Sequence, residues 1–341
     1  MSLENADFGS VGWSVEQLRL MTKIAVLYHE EKIKQPEISQ RLNLSQARVS
    51  RYLNQAAAAG IVRTAIVQPY GIYVGLEKAL EEKYKLKEVV VVENIEGAAL
   101  KSSLGSAAAT YLETTLSAND HIGISSWSQT LLSMVESMRS RPRKVVSEIV
   151  QLIGGVGSPE AQIQASRLCS QLAQITSAVP FYLAAPGVVS SKEVKEAFLS
   201  DPEVIKTIQA WKRINTLILG IGAFPASPLL AASGNAIGQK DEIELKKAGA
   251  VGEICLRYFD KDGRAMHPII EERVIAIDYS LMSKTKRRIG VAGGVSKLNA
   301  IRAAIIGGWI NVLITDSEVA RLLLEPPRQK QSNRNLSNTL I

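Results

Sequence analysis

Beyond about Tyr73 the chain alternates between short β-branched runs and longer stretches of helical period. The runs fall at 89–92, 121–125, 148–153, 180–184, 215–221, 253–259, 274–278, 288–292 and 311–315. Between many of them apolar residues recur at helical spacing, as at 100–116, 130–138, 161–175 and 297–306. Strands alternating with helices predict an α/β unit built on a mostly parallel sheet covered on both faces.

The chain up to about Val67 has another texture. Leu18, Met21, Ile24, Ala25 and Tyr28 are spaced to share one stripe of a helix over 14–31, with Ser14 as its cap. Pro36 suits the first turn of a second helix that buries Ile38 and Leu42. Asn43 tolerates the left-handed backbone of a tight turn, and Ser45 caps a third helix with Val49 and Leu53 inward. This is a helix-turn-helix pattern, and 61–67, after Gly60, would supply a wing strand. The predicted organisation is a helix-turn-helix DNA-binding domain over 1–67, a linker over 68–72 containing Pro69 and Gly71, and an α/β domain over 73–325. A polar tail, with Pro326 and Pro327, follows over 326–341 and is expected to be disordered.

Composition narrows the function. With 341 residues, 46% hydrophobic and 21% charged, the chain is globular rather than disordered. No apolar run approaches the ~20 residues of a membrane-spanning helix, and the polar start lacks the order of a secretory signal. Cys169 and Cys255 make no disulfide framework, and His29, His121 and His267 are far apart in sequence. A cytoplasmic protein without metal or other cofactor is expected. The net charge of +7 permits an anionic partner without naming one.

The third helix is more specific. Its outer face carries Gln46, Arg48, Ser50, Arg51 and Asn54, and no acidic residue occurs between Leu42 and Gln68. Arginine can bridge guanine O6 and N7, amides can pair with adenine, and serine can hold phosphate. A merely solvated helix face usually mixes signs. Double-stranded DNA is therefore the expected partner. Two further basic clusters, Arg139, Arg141, Arg143 and Lys144, and Lys284, Lys286, Arg287 and Arg288, could face DNA or a partner subunit. As solvated loops they need no function, and that is the reading taken for both.

In the α/β part, ligand candidates are the loops at strand carboxyl ends, where open sheets leave a crevice. Ser125, Ser126 and Thr130 place hydroxyls between a strand and a helix amino terminus, a position that suits an anion. Gly154, Gly155 and Gly157, and then Gly220 and Gly222, would let backbone approach a ligand closely. Lys297 opens a helix and could meet a phosphate or carboxylate. Trp127 is placed either to stack on a sugar or to pack in the core.

The helix-turn-helix, the following GLEKALEEKYKLKEVVVVE, and then NDHIGISSWSQTL, VQLIGGVGSPEAQ, VPFYLAAPGVV, LILGIGAF, AVGEICLRYFDKDG and IGVAGGVSKLNAIRAAIIGGWINVLITD together resemble the SorC/DeoR-type sugar-binding transcriptional regulators of bacteria. The family's first effector loop commonly reads GVSWGRTL, whereas this chain has GISSWSQTL, with Ser128 after Trp127. The resemblance implies an effector domain similar in fold to ribose-5-phosphate isomerases and CoA transferases. It also implies a homodimer or homotetramer that binds operator DNA and responds to a sugar, polyol or sugar phosphate. By analogy with the family's GEI segment, Glu253 would accept hydrogen bonds from sugar hydroxyls. The competing reading is a sugar-phosphate isomerase or transferase with an accessory helical domain. Such an enzyme needs a general base, for which Glu253 and Asp278 are the candidates, and neither has an evident acid partner in sequence.

Overall fold

The computed structural model describes residues 13–62, 69, 71–139, 145–156, 159–225 and 237–326. The chain divides into two compact units, Met1–Val67 and Gln68–Ile341. The expected wing strand beyond Val62, Gly157, the basic residues Arg141, Arg143 and Lys144, and the tail beyond Pro326 lie outside the described residues.

In the first unit, helix α1 (Val15–Ala25) opens on a reciprocal cap: the Gln17 amide donates to Ser14 Oγ, and the Ser14 amide donates to the Gln17 side chain. The helix then widens into a π turn over Val26–Glu30, where the Glu31 amide donates to the Val26 carbonyl. The extra residue rotates the apolar face, so Leu27 is buried and Tyr28 is exposed. This corrects the simple stripe, which placed Tyr28 inward. Helix α2 (Gln35–Arg41) carries Pro36 in its first turn, and Asn43 adopts φ 48° in the turn that follows. Ser45 accepts from the Arg48 amide at 3.3 Å and starts α3 (Gln46–Ala58). Met21, Ile24, Leu27, Ile38, Val49 and Leu53 form the core, while Leu42 is only half-buried.

The second unit contains strands β1 (Glu88–Val92), β2 (His121–Ile124), β3 (Glu148–Gln151), β4 (Val179–Phe181), β5 (Thr216–Gly220), β6 (Gly222–Ala223), β7 (Gly252–Ile254), β8 (Arg257–Phe259), β9 (Arg287–Val291) and β10 (Val312–Asp316). Seven form an all-parallel sheet in the order β1-β10-β9-β5-β2-β3-β4; β6, β7 and β8 form a small antiparallel sheet. Side chains alternate between two cores. Val89, Val91, Val150, Leu217 and Leu219 enter one, and Val90, Ile149 and Ile218 face the other. Both faces are apolar, as a covered parallel sheet requires. Helix α4 (Val74–Tyr84) contributes Leu80 to the first core, and α5 (Ala98–Thr115), α6 (Gln129–Ser137) and α7 (Pro159–Thr176) pack on the second.

Two expected strands change. The run 253–259 folds back on itself, because Cys255 and Leu256 adopt φ 54° and 59° between β7 and β8. The run 274–278 forms only single bridges, Val188 with Val274 and Ile153 with Ala276. Its Val274, Ile275 and Ile277 are buried, so apolarity there records burial rather than a ladder.

Glu148, at the start of β3, meets His121 Nδ1 at 2.9 Å and Arg213 Nη2 at 2.9 Å. Burial pushes its carboxyl up, but hydrogen bonds and charge from Arg213 and His121 prevail and hold it below the ordinary value of 4.5. A depressed folded-state value contributes stability above the unfolded value and loses it as pH falls through the folded one. In urea unfolding, the deficit of Glu148→Gln relative to wild type is expected at pH 7 and should shrink progressively below about pH 4.5. An equal deficit at pH 7 and pH 3 would assign Glu148 no ionic role.

Candidate functional site

The strand order reverses between β2 and β5. From β2 the chain moves outward to β3 and β4, whereas from β5 it moves to β9 and β10 on the other side. Crossovers that leave in opposite directions open a crevice at the strand carboxyl ends. A cleft of about 640 Å³ lies there, a volume typical of small-molecule sites.

The loop after β2 makes one wall. Ser125 is buried and its hydroxyl accepts from the Gly220 amide at 3.0 Å, tying the ends of β2 and β5 together. Trp127 takes φ 55° with its ring buried, a conformation a bulky residue rarely adopts. That reversal lets Ser126 line the cleft and Ser128 cap α6, accepting from the Leu131 amide at 3.2 Å. Thr130, in the first turn of α6, completes this wall. Gly220 lies against Ser128 and Ser125.

Glu253 of β7 and Lys297 also line the cleft. A Cβ on Gly222 would overlap Glu253 Oε1, so glycine is what allows the carboxylate into this place. Glu253 Oε2 accepts from the Leu256 amide at 2.9 Å. Burial raises its carboxyl above the ordinary range, opposed by that hydrogen bond and by Lys297. Lys297 Nζ donates to the Ile221 carbonyl at 2.7 Å. Burial lowers this ammonium, Glu253 opposes the change, and Lys101 adds to it.

The cleft therefore gathers Ser125, Ser126, Trp127, Thr130, Gly220, Gly222, Glu253 and Lys297. It does not gather Gly154 and Gly155. A Cβ on Gly154 would overlap the backbone of Pro186 and Ala185, and Gly155 bridges to Pro186. Gly154 serves close backbone packing, which a strand-end glycine cannot announce in sequence. Lys101, Ser128, Gln129, Phe224 and Ser296 also line the cleft and were not anticipated. The cap position of Ser128 was a usable signal; nothing local in sequence brings Lys101, on α5, to this site. Asp278 is elsewhere, paired with Arg257 at 3.0 Å, so it offers no base to the cleft.

On α3, Gln46, Arg48, Arg51 and Asn54 are exposed and Ser50 is half-buried. Arg48 Nη2 donates to the Tyr52 hydroxyl at 3.2 Å and its guanidinium lies over that ring, 5.6 Å from the centroid. One arginine is thus steered along the helix.

Comparison with known proteins agrees with both units. The Sugar-bind family model, a sugar-binding domain, matches residues 69–325. A winged helix-turn-helix DNA-binding model matches residues 24–63. The chain is 31% identical over 311 residues to the deoxyribonucleoside regulator of Bacillus subtilis (strain 168), covering 91% of this chain and 98% of that one. It is 29% identical over 320 residues to the sorbitol operon regulator of Klebsiella pneumoniae, covering 91% and 99%. The crystal structure of the full-length sorbitol operon regulator SorC from Klebsiella pneumoniae superposes with a TM-score of 0.70 at 27% identity, covering 90% of this chain and 99% of that one.

Proposed function

The chain belongs to the sugar-binding-domain transcriptional regulators of the SorC/DeoR type, and on that premise we propose that its operator binding is controlled by a carbohydrate effector seated between β2 and β5. The observation that carries this reading is the cleft itself. Hydroxyls at a helix amino terminus, a half-buried carboxylate and a half-buried ammonium converge at the switch point of the sheet. Carboxylate and hydroxyls suit a polyol, and the ammonium with the helix terminus suits an anionic group. The matched relatives are named as regulators, which supports binding rather than turnover as the use of the cleft.

The test is a thermal-shift screen of sugars, polyols and their phosphates. A ligand at ~100 times its Kd stabilises the native state by about 2.7 kcal/mol. A complete panel without a hit sinks the effector reading, and turnover of a sugar phosphate revives the enzyme.

For DNA, α3 is the reading element. Arg51→Ala is expected to weaken operator binding by roughly 1–3 kcal/mol if it reads a base edge, with relaxed specificity at one position. Loss spread evenly over sequences, with a reduced salt slope, would mark a phosphate contact instead. Unchanged affinity in both Arg51→Ala and Arg48→Ala removes α3 from the interface.

One helix-turn-helix reads a short stretch, so operator specificity calls for at least two heads on paired half-sites. The larger unit is the natural pairing surface, and the protein is read as a cytoplasmic homodimer or homotetramer. A 73–325 fragment should sediment as an oligomer at micromolar concentration; a monomer there contradicts this.

A further inference from the structure

The charged side chains that line the cleft are not equivalent. Among the described lining residues they are Lys101, Lys297 and Glu253. Lys297 and Glu253 each oppose the burial-driven shift of the other, so they act as a partly self-neutralising pair. Lys297 is further held by the Ile221 carbonyl. Lys101 stands apart. It is exposed in the first turn of α5, and its ammonium donates to the side-chain carbonyl of Gln129. Its charge works against that of Lys297, as like charges sharing a site do.

The packing of α5 on α6 explains why Lys101 is there. A Cβ at Gly105 would lie 2.7 Å from the Met134 amide nitrogen and from Ser133 Cβ, so the two helices meet almost backbone to backbone at that point. One turn back from Gly105 is Lys101, and one turn back from Ser133 is Gln129, the first residue of α6. The close crossing thus delivers the ammonium to the amino terminus of α6, where the helix dipole already favours an anion.

Resting on the reading of the cleft as an effector site, we propose that Lys101 is its specificity-determining residue, selecting a dianionic phosphate ester that bridges Lys101 and Lys297 while Glu253 receives hydroxyls beyond. Two cations against one carboxylate leave a net positive charge; without Lys101 that excess disappears. A phosphate monoester carries about −1.5 to −2 charges at neutral pH, enough to answer both ammonium groups and relieve their repulsion. A carboxylate carries one charge and has no need of the second lysine.

Calorimetric titration of the full chain with glycerol 3-phosphate and glycerate tests this, because the two probes are small polyols ending in a dianion and a monoanion. K101M is expected to weaken glycerol 3-phosphate about ten-fold or more and glycerate less than about threefold, with K101R keeping most of the phosphate affinity. Equal losses for both probes, or phosphate affinity untouched by K101M but abolished by K297M, overturn the role of Lys101 and leave the cleft as the effector site. Failure of the wild-type chain to bind glycerol 3-phosphate at ~10 mM overturns it also. Phosphate binding that survives K101M, K297M and E253Q alike lies outside the cleft, and then the effector reading falls with the proposal.

Discussion

Gly154→Ala is expected to destabilise the α/β unit by ~3 kcal/mol, at the upper end of the usual cost of overpacking. The added methyl would overlap the backbone of Pro186 and Ala185, and backbone cannot swing aside as a side-chain tip can. The Gly154 amide also donates to the Ile275 carbonyl at 3.0 Å, so the segment is held from a second direction. Gly155 and Val156 bridge to the same Pro186, so the strain has no free neighbour to pass into. For a unit of this size the shift in Tm should be roughly 6–12 °C. Paired measurement of melting and effector affinity separates two roles. A glycine required by packing lowers Tm and leaves the affinity of the folded fraction intact. A glycine required by the ligand does the reverse, and that outcome would return Gly154 to the effector site.

Lys297→Ala should lower affinity for a phosphorylated effector ten-fold or more, since a charge-assisted contact is typically worth about 1.5–3 kcal/mol. The ammonium is half-buried in the wall of the cleft, so water compensates its loss only in part. The parent sugar without phosphate should suffer less. An effector shifts operator binding only by its differential affinity for the two states, so the transcriptional response should shrink in step. An unphosphorylated effector predicts a different pattern: Lys297→Ala would matter little, while Glu253→Gln would cost binding through lost hydroxyl contacts. Titration of both variants against a sugar and its phosphate distinguishes the cases. If neither variant changes binding of a confirmed effector, the cleft is not its site.

What the chain determines by itself is local. Ser14, Pro36, Asn43 and Ser45 act through their own backbone or the next turn, so the helix-turn-helix was readable from spacing alone. The β-branched runs of the parallel sheet were readable because strands covered on both faces must be apolar on both. The loops after β2 and β5 were readable as ligand candidates because a strand carboxyl end facing a crevice is a consequence of α/β topology.

Tertiary structure decided what depends on neighbours distant in sequence. Apolar residues at 274–278 look like a strand whether they pair or are only buried, and here Ile275 and Ile277 reach the Gly187 and Leu152 carbonyls one at a time. The π turn moved Tyr28 outward by a change of hydrogen-bond register that composition does not encode. Glycines after β3 and β5 look alike in sequence; one set meets Pro186 and the other lines the cleft, because the partner strand and not the glycine sets which way the backbone faces. Lys101 had no signal at all. Its place at the cleft follows from how closely α5 crosses α6 at Gly105, and a crossing between helices is fixed only when both have packed on the same face of the sheet.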